Sequence, residues 1–304
     1  MLELSGVDRF FGERQVLHDV SFAVRPGVLT GFIGANGAGK TTTMRIVLGV
    51  IGANAGKILW DGRPLDKNTR RTFGYMPEER GLYPKMKVLD QLVHLGRLFG
   101  LPPSEAADRA LRLLTSLGLQ DRVQDRLESL SLGNQQRVQV VAAILHDPSA
   151  LILDEPFSGL DPVAVDVMAG MLRARAALGN PVLFSSHQLD LVERLCDDIV
   201  IIDEGRVVLA GDSEQLRRER AGSRFRLVVG GAADRPDPAD DADDWLRSDP
   251  RWKVLELEGP RALVEILDPA HEQPLLAKAL EQGPVHEFTP VVPTLADIYR
   301  QTVR

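Results

Sequence analysis

The stretch Gly34-Ala35-Asn36-Gly37-Ala38-Gly39-Lys40-Thr41-Thr42 decides how this chain is read. It fits the pattern G-x-x-x-x-G-K-[ST] and has the flanks that pattern requires. An apolar run, Val28 to Ile33, precedes it, and a helix is predicted after it over Thr41 to Leu48. Glycines let successive backbone N–H groups wrap a phosphate, and a helix N-terminus adds positive potential. Lys40 is placed to neutralise the outer phosphates, and Thr41 to offer a hydroxyl to magnesium. Asn36, Gly37, Ala38, Gly39, Lys40, Thr41 and Thr42 are therefore the expected phosphate-binding residues. The plain alternative is a glycine-rich turn between a strand and a helix.

The rest of the composition bounds what such a loop serves. The chain has 304 residues, enough for one large or two ordinary domains with full cores. Hydrophobic residues make up 44% and charged residues 26%, ordinary for a soluble globular protein. A formal net charge of −7 provides no general basic surface, which argues against nucleic acid as a main partner. The single cysteine, Cys196, excludes an internal disulfide and a multi-cysteine metal site. It lies in the amphipathic run Leu189 to Cys196, which predicts a small buried apolar residue. No segment approaches about 18 consecutive apolar residues, and no signal peptide opens the chain. The expectation is a cytosolic chain that does not cross a membrane by itself.

Outward from the loop, strand-like and helix-like runs alternate. Leu2–Leu4, Val16–Val24, Val28–Ile33, Lys57–Trp60 and Thr72–Met76 read as strands. Val88–Phe99, Ser104–Leu117 and Asn134–His146 show helical spacing, with Ser104 read as an N-cap. Strand character returns at Ala150–Leu153, Val182–Ser185, Ile199–Asp203 and Val207–Ala210. Helices are predicted at Pro162–Leu178 and Gln188–Cys196. The expected fold is an α/β core over residues 1–215 with a helical insertion at about 85–146. A break in composition follows, and the acidic run Asp240–Asp244 reads as a solvated loop or short helix face. Trp252–Leu257 and Ala262–Leu267 predict a hairpin across Glu258-Gly259-Pro260-Arg261. Pro274–Gln282 and Leu295–Val303 read as helices. Residues 222–304 thus predict a small α+β domain.

A second motif is Ala150-Leu151-Ile152-Leu153-Asp154-Glu155-Pro156, an apolar strand ending in two carboxylates. Chemistry in a parallel sheet gathers at the carboxyl ends of strands, so this strand can deliver Asp154 beside the phosphate loop. Asp154 suits magnesium, held through water. Glu155 is then placed to orient or deprotonate an attacking water. A third motif, Leu130-Ser131-Leu132-Gly133-Asn134-Gln135-Gln136-Arg137-Val138, opens a predicted helix with Ser-Leu-Gly, which reads as an ordinary cap or as a second anion-binding helix N-terminus.

With these motifs in this order, the chain resembles the ATP-binding subunits of ABC transporters. The third motif is similar to that family's LSGGQ signature. The resemblance implies that Ser131 and Gly133 meet a nucleotide held by a partner subunit, so that each complete site is shared between two chains. Ser158-Gly159-Leu160-Asp161 resembles the family's D-loop at that dimer interface; the bland reading is a turn before a helix. Ser186-His187 resembles the switch histidine segment, which gives His187 a contact to the γ-phosphate. Phe11, before Gly12, resembles the aromatic that stacks on adenine, although a core phenylalanine is the commoner role. Glu78 stands where the family has a glutamine, and Leu132 and Asn134 replace a Gly and a Gln of the signature. Glu78 still offers oxygen to magnesium or its water but cannot donate as an amide does.

The run Pro77-Glu-Glu-Arg-Gly-Leu-Tyr-Pro-Lys-Met and the tail around Pro293–Tyr299 resemble one subgroup, the ATPases of ABC-2-type exporters. What the resemblance implies is an ATPase motor using ATP and Mg2+. Lys40, Glu155 and His187 are its catalytic residues. Thr41, Glu78 and Asp154 attend the metal. Phe11, Ser131, Gly133 and Asp161 complete the nucleotide contacts. Its partners would be a second ATP-binding subunit, identical or related, and a separate membrane permease that places the chain on the inner face of the cell membrane. Two competing readings remain. Soluble ABC ATPases of translation or DNA repair typically carry two cassettes or a coiled-coil or zinc insertion. A GTPase-type switch needs an Asn-Lys-x-Asp guanine reader, which the chain lacks.

Overall fold

The computed structural model describes residues 1–79, 81–220, 224–230 and 244–303. The chain divides into two compact units, Met1–Ser213 with Tyr299–Arg304, and Glu214–Ile298.

The first unit opens with two long strands, β1 (Leu2–Phe11) and β2 (Arg14–Val24), paired antiparallel. Their hairpin is longer than the sequence pattern suggests because β1 carries irregular register between Leu4 and Val7, which breaks the simple alternation. β3 (Leu29–Ile33) is buried at every position, as a central parallel strand must be. It feeds the turn that starts α1 (Lys40–Val47). β4 (Ala55–Trp60), β5 (Arg63–Pro64) and the one-turn α2 (Lys67–Arg70) follow, then β6 (Phe73–Met76).

Three helices form the insertion: α3 (Val88–Leu98), α4 (Pro103–Ser116) and α5 (Leu132–Ile144). Their facing apolar stripes make a separate small core from Val88, Leu92, Leu114, Val138 and Val141. Ser104 is not the N-cap of α4. Pro102 occupies that position and Pro103 is the first helical residue, because a proline ring presets helical φ and its missing N–H has no bond to lose there.

The chain then returns to the sheet through β7 (Ala150–Leu153), α6 (Pro162–Ala177), β8 (Val182–Ser186), α7 (Leu189–Leu195), β9 (Asp198–Asp203) and β10 (Arg206–Asp212). The main sheet has the order β10-β9-β3-β8-β7-β6, with all neighbours parallel except β10 against β9. A second, antiparallel sheet runs β2-β1-β4-β5. The core between the two includes Leu4, Leu17, Phe32, Met44, Ile152 and Val200. Cys196 is buried and free.

The second unit starts in α8 (Ser213–Glu219) and holds β11 (Arg224–Val229), the short α9 (Asp244–Arg247), β12 (Trp252–Glu258), β13 (Arg261–Ile266), α10 (Glu272–Gln282) and β14 (Val285–Pro290). α11 (Leu295–Thr302) spans the boundary between the units. The strands form one antiparallel sheet in the order β12-β13-β11-β14, and Phe225, Trp252, Val264, Leu275 and Ala279 pack together in its core. The predicted hairpin is β12–β13. β11 and β14 add two strands beyond it. Of the acidic run, Asp240 to Asp243 lie outside the described residues.

Candidate nucleotide site

The turn from β3 into α1 is built by its glycines. Gly39 has φ +111°, a left-handed conformation open to glycine. A Cβ at Gly34 would meet the Ile202 carbonyl oxygen at 2.4 Å, so only glycine lets the loop pass β9. Lys40, the first residue of α1, is buried, and its Nζ donates to the carbonyls of Gly34 at 2.6 Å and Ala35 at 3.2 Å. The ammonium is thus held inside the loop, beside the amides at the helix N-terminus.

The parallel sheet delivers the carboxylates. β8 lies between β3 and β7, so Asp154 is two strands away from the loop, yet its side chain crosses the gap. Thr41 Oγ1 donates to Asp154 Oδ2 at 2.7 Å. Ser185 Oγ donates to Asp154 Oδ1 at 2.5 Å, and Glu155 N donates to Ser185 Oγ at 2.8 Å. Glu155 itself sits at φ +51°, an unfavourable region for a residue with a Cβ. Its Oε1 is 3.0 Å from His187 Nδ1. Burial pushes the Glu155 carboxyl above its ordinary range, and the His187 hydrogen bond and the Lys40 charge pull it partly back.

Asn36, Gly37, Gly39, Lys40, Thr41, Thr42, Glu78 and Glu155 line one cavity of about 360 Å³. A neighbouring cavity of about 530 Å³ is lined on one side by Arg14, Gln15, Val16 and His18 of β2 and on the other by Ala35 to Ala38. Phe11 lines neither. It is half exposed at the end of β1, with the Arg9 guanidinium 4.5 Å above its ring.

The paired oxygens of Thr41 and Asp154 suit a magnesium ion, which takes one or two protein oxygens and completes its shell with water and phosphate. Among the described residues no group of three or more His, Cys, Asp or Glu converges into a metal cage.

Ser131 and Gly133 are elsewhere. Ser131 is the N-cap of α5, its hydroxyl accepting from Asn134 N at 3.3 Å. Neither residue lines the two cavities. Gly133 packs against Gly159 and Leu160, where a Cβ would come within 3.1 Å of the Gly159 oxygen. Asp161 caps α6 by accepting from Ala164 N at 2.8 Å and lies 3.8 Å from Arg137 of α5. The signature segment and the turn after Glu155 therefore form one surface.

Three side chains of the site escaped the sequence reading. Ser185 is a polar end to an apolar strand, a signal present but not used. Gln136 and Gln139, one helical turn apart on α5, donate to the Glu155 carbonyl at 2.8 Å and to the carbonyls of Pro77 and Glu79 at 3.1 and 3.2 Å. They tie α5 to both loops that carry acidic site residues, and no spacing rule reveals such contacts.

A phosphate-wrapping turn with Thr41 and two strand-end acids defines a nucleotide-hydrolysing cassette. The family model described as "ABC transporter" matches residues 17–158, and the C-terminal domain of DrrA1-3-like ATP-binding proteins matches residues 211–303. The chain is 42% identical over 218 residues to YhaQ, an ABC transporter ATP-binding protein of Bacillus subtilis (strain 168), covering 72% of this chain and 73% of that one. It is 31% identical over 288 residues to the Nod factor export ATP-binding protein I of Cupriavidus metallidurans, covering 94% and 91%. A solved ATP-binding subunit of an ABC transporter aligns with TM-score 0.66 at 35% identity, covering 72% of this chain and 92% of that one. The chain belongs to the ABC transporter ATP-binding proteins, nucleotide-binding ATPases coupled to transport.

Proposed function

We propose that this chain is the motor subunit of an exporter, in which two ATP-binding subunits enclose two ATP molecules and drive a separate membrane permease. The observation that carries the hydrolytic part is the hydrogen-bonded line from Thr41 through Asp154 to Ser185 and the Glu155 backbone. Lys40 and the amides from Asn36 to Thr42 hold the phosphates, and Phe11 stacks on adenine. Thr41 and Asp154, with Glu78 at the cavity wall, hold magnesium, which supplies charge neutralisation at the phosphates. Glu155 orients and deprotonates the attacking water, its raised carboxyl being suited to taking a proton. His187, whose ring is half exposed beside Glu155, reaches toward the γ-phosphate.

Ser131 and Gly133 lie outside the phosphate cavity and serve the nucleotide of the partner subunit, with Asp161 at the same interface. Support for this comes from Leu132 and Val163, which are exposed at 59% and 73% on the surface shared by the signature segment and α6. Support for export comes from the relative named for Nod factor export and from the matched C-terminal domain. No helix among the described residues is long and apolar enough to cross a membrane. In this reading a separate permease supplies the membrane path, and the chain attaches to it at the inner membrane face.

The test is affinity purification of the full chain from its own cells, with ATPase assay of the product. Recovery with a polytopic membrane protein and ATP hydrolysis is the expected result. Recovery with ribosomes or DNA instead would replace export with a role in translation or repair. We assign the second unit an accessory role in supporting or regulating the dimer. Removal of residues 222–304 should alter dimerisation or ATPase rate, and unchanged values of both would remove that role.

A further inference from the structure

We propose that Ser185 is a positioning residue of the hydrolytic site, one hydroxyl that sets both the Asp154 carboxylate and the Glu155 peptide. The inference rests on the roles given above to those two acids. It begins in the sheet. β7 and β8 are parallel, with Leu153 level with Phe184. The next residues, Asp154 and Ser185, therefore emerge side by side at the carboxyl edge. Ser185 is fully buried, so its partners must come from protein.

The chemistry leaves one arrangement. An amide N–H only donates, so the hydroxyl oxygen must accept from Glu155 N, at 2.8 Å. The hydroxyl proton is then free for one acceptor, Asp154 Oδ1 at 2.5 Å. That bond occupies Oδ1 and fixes the rotation of the carboxylate, leaving Oδ2 turned toward Thr41. The other bond holds a peptide in a conformation it does not prefer. Glu155 has φ +51°, and its N–H and C=O are anchored by Ser185 and Gln136 respectively. The left-handed backbone aims the Glu155 side chain at His187 instead of letting it continue the line of the strand. A hydroxyl makes both bonds at full strength at this place, alanine makes neither, and a thiol makes both weakly.

The test uses the full-length protein with Ser185→Ala and Ser185→Thr, beside Asp154→Asn and Glu155→Gln. Hydrogen exchange of the nucleotide-free protein reads the Glu155 amide directly. A fluorescent ATP analogue, titrated with and without Mg2+, reads the metal site. Ser185→Ala is expected to speed exchange over Asp154–Phe157 by about tenfold or more. It should raise the half-saturating Mg2+ concentration and lower kcat each by about tenfold. Binding of the analogue without Mg2+ should stay within about twofold, and Ser185→Thr should recover most of each loss. If Ser185→Ala does not yield folded protein, Ser185→Cys carries the same expectations with smaller shifts. Wild-type exchange and Mg2+ dependence in a folded hydroxyl-free variant would overturn the proposal. So would equal losses with and without Mg2+ that threonine does not recover, since that marks general loosening. Failure of the parent reading looks different: Asp154→Asn and Glu155→Gln would then keep wild-type Mg2+ dependence and hydrolysis, and the positioning role would fall with them.

Discussion

Glu155 combines three properties that are each uncommon: burial, a raised carboxyl and a left-handed backbone. A residue with a Cβ at positive φ persists only where its surroundings over-determine it, and strain of this kind gathers at sites that act. Replacing Glu155 with Gln keeps the shape and removes the proposed base. The expected result is ATP binding within about threefold of wild type and a kcat lower by about a hundredfold or more, with ATP-dependent dimers accumulating in size-exclusion chromatography. Lys40 predicts the opposite division. Its ammonium is the buried cation of the loop, and Lys40→Ala should weaken ATP binding by about tenfold to a hundredfold, since a charge-assisted bond is lost. Equilibrium binding of labelled ATP measures it, and wild-type affinity would detach Lys40 from the phosphates.

α5 is where local pattern and tertiary structure part company. Its N-cap, Ser131, and its apolar positions are readable from the chain, as are β3, α1 and β7 around the two motifs. These follow from short-range rules: buried strands are continuously apolar, caps are small and polar, phosphate turns need glycine. The contacts of Gln136 and Gln139 are not readable, because an amide on a helix reveals nothing of the loop it meets 19 or about 60 residues away. Ser104 misleads for a related reason. Serine favours caps, but two preceding prolines had already started the helix. β11 is hidden in the sequence although Phe225 and Leu227 alternate with Arg224 and Arg226, because the charged run before it masks so short an alternation. For α5 itself, Gln136→Ala should lower kcat by about tenfold with KM for ATP within about twofold, because only the Glu155 peptide loses an anchor. Steady-state kinetics decide this, and an unchanged kcat would make Gln136 a packing residue.

Over the whole molecule, the two units differ in what holds them. The first rests on stacked sheets and a second helical core. The second adds a charged knot: Asp249 accepts from Arg251 at 2.9 and 2.7 Å and from Lys278 at 2.9 Å, while Arg251 lies over the Trp252 ring at 4.8 Å. The Arg251 hydrogen bonds hold the Asp249 carboxyl far below its usual range, and Lys278 adds to them. A carboxyl lowered on folding contributes stability above its unfolded value, near 4, and loses it as pH falls further. Asp249→Asn should therefore lower the melting temperature of the second unit at pH 7 and converge with wild type as pH drops below about 4. A difference that stays constant with pH would show that charge is not the cause.

One feature of the first unit reaches beyond its own site. α5 grips the Glu155 peptide and the loop of Glu78 through two amides on the same face. A single rigid rod thus carries both acids. A neighbour that pushed on this rod would move both loops together, and with the roles proposed for their acids a load resisting that movement would brake turnover. Under the proposed export role, hydrolysis would then answer to back-pressure, and the engine would idle when the work ahead of it is too great.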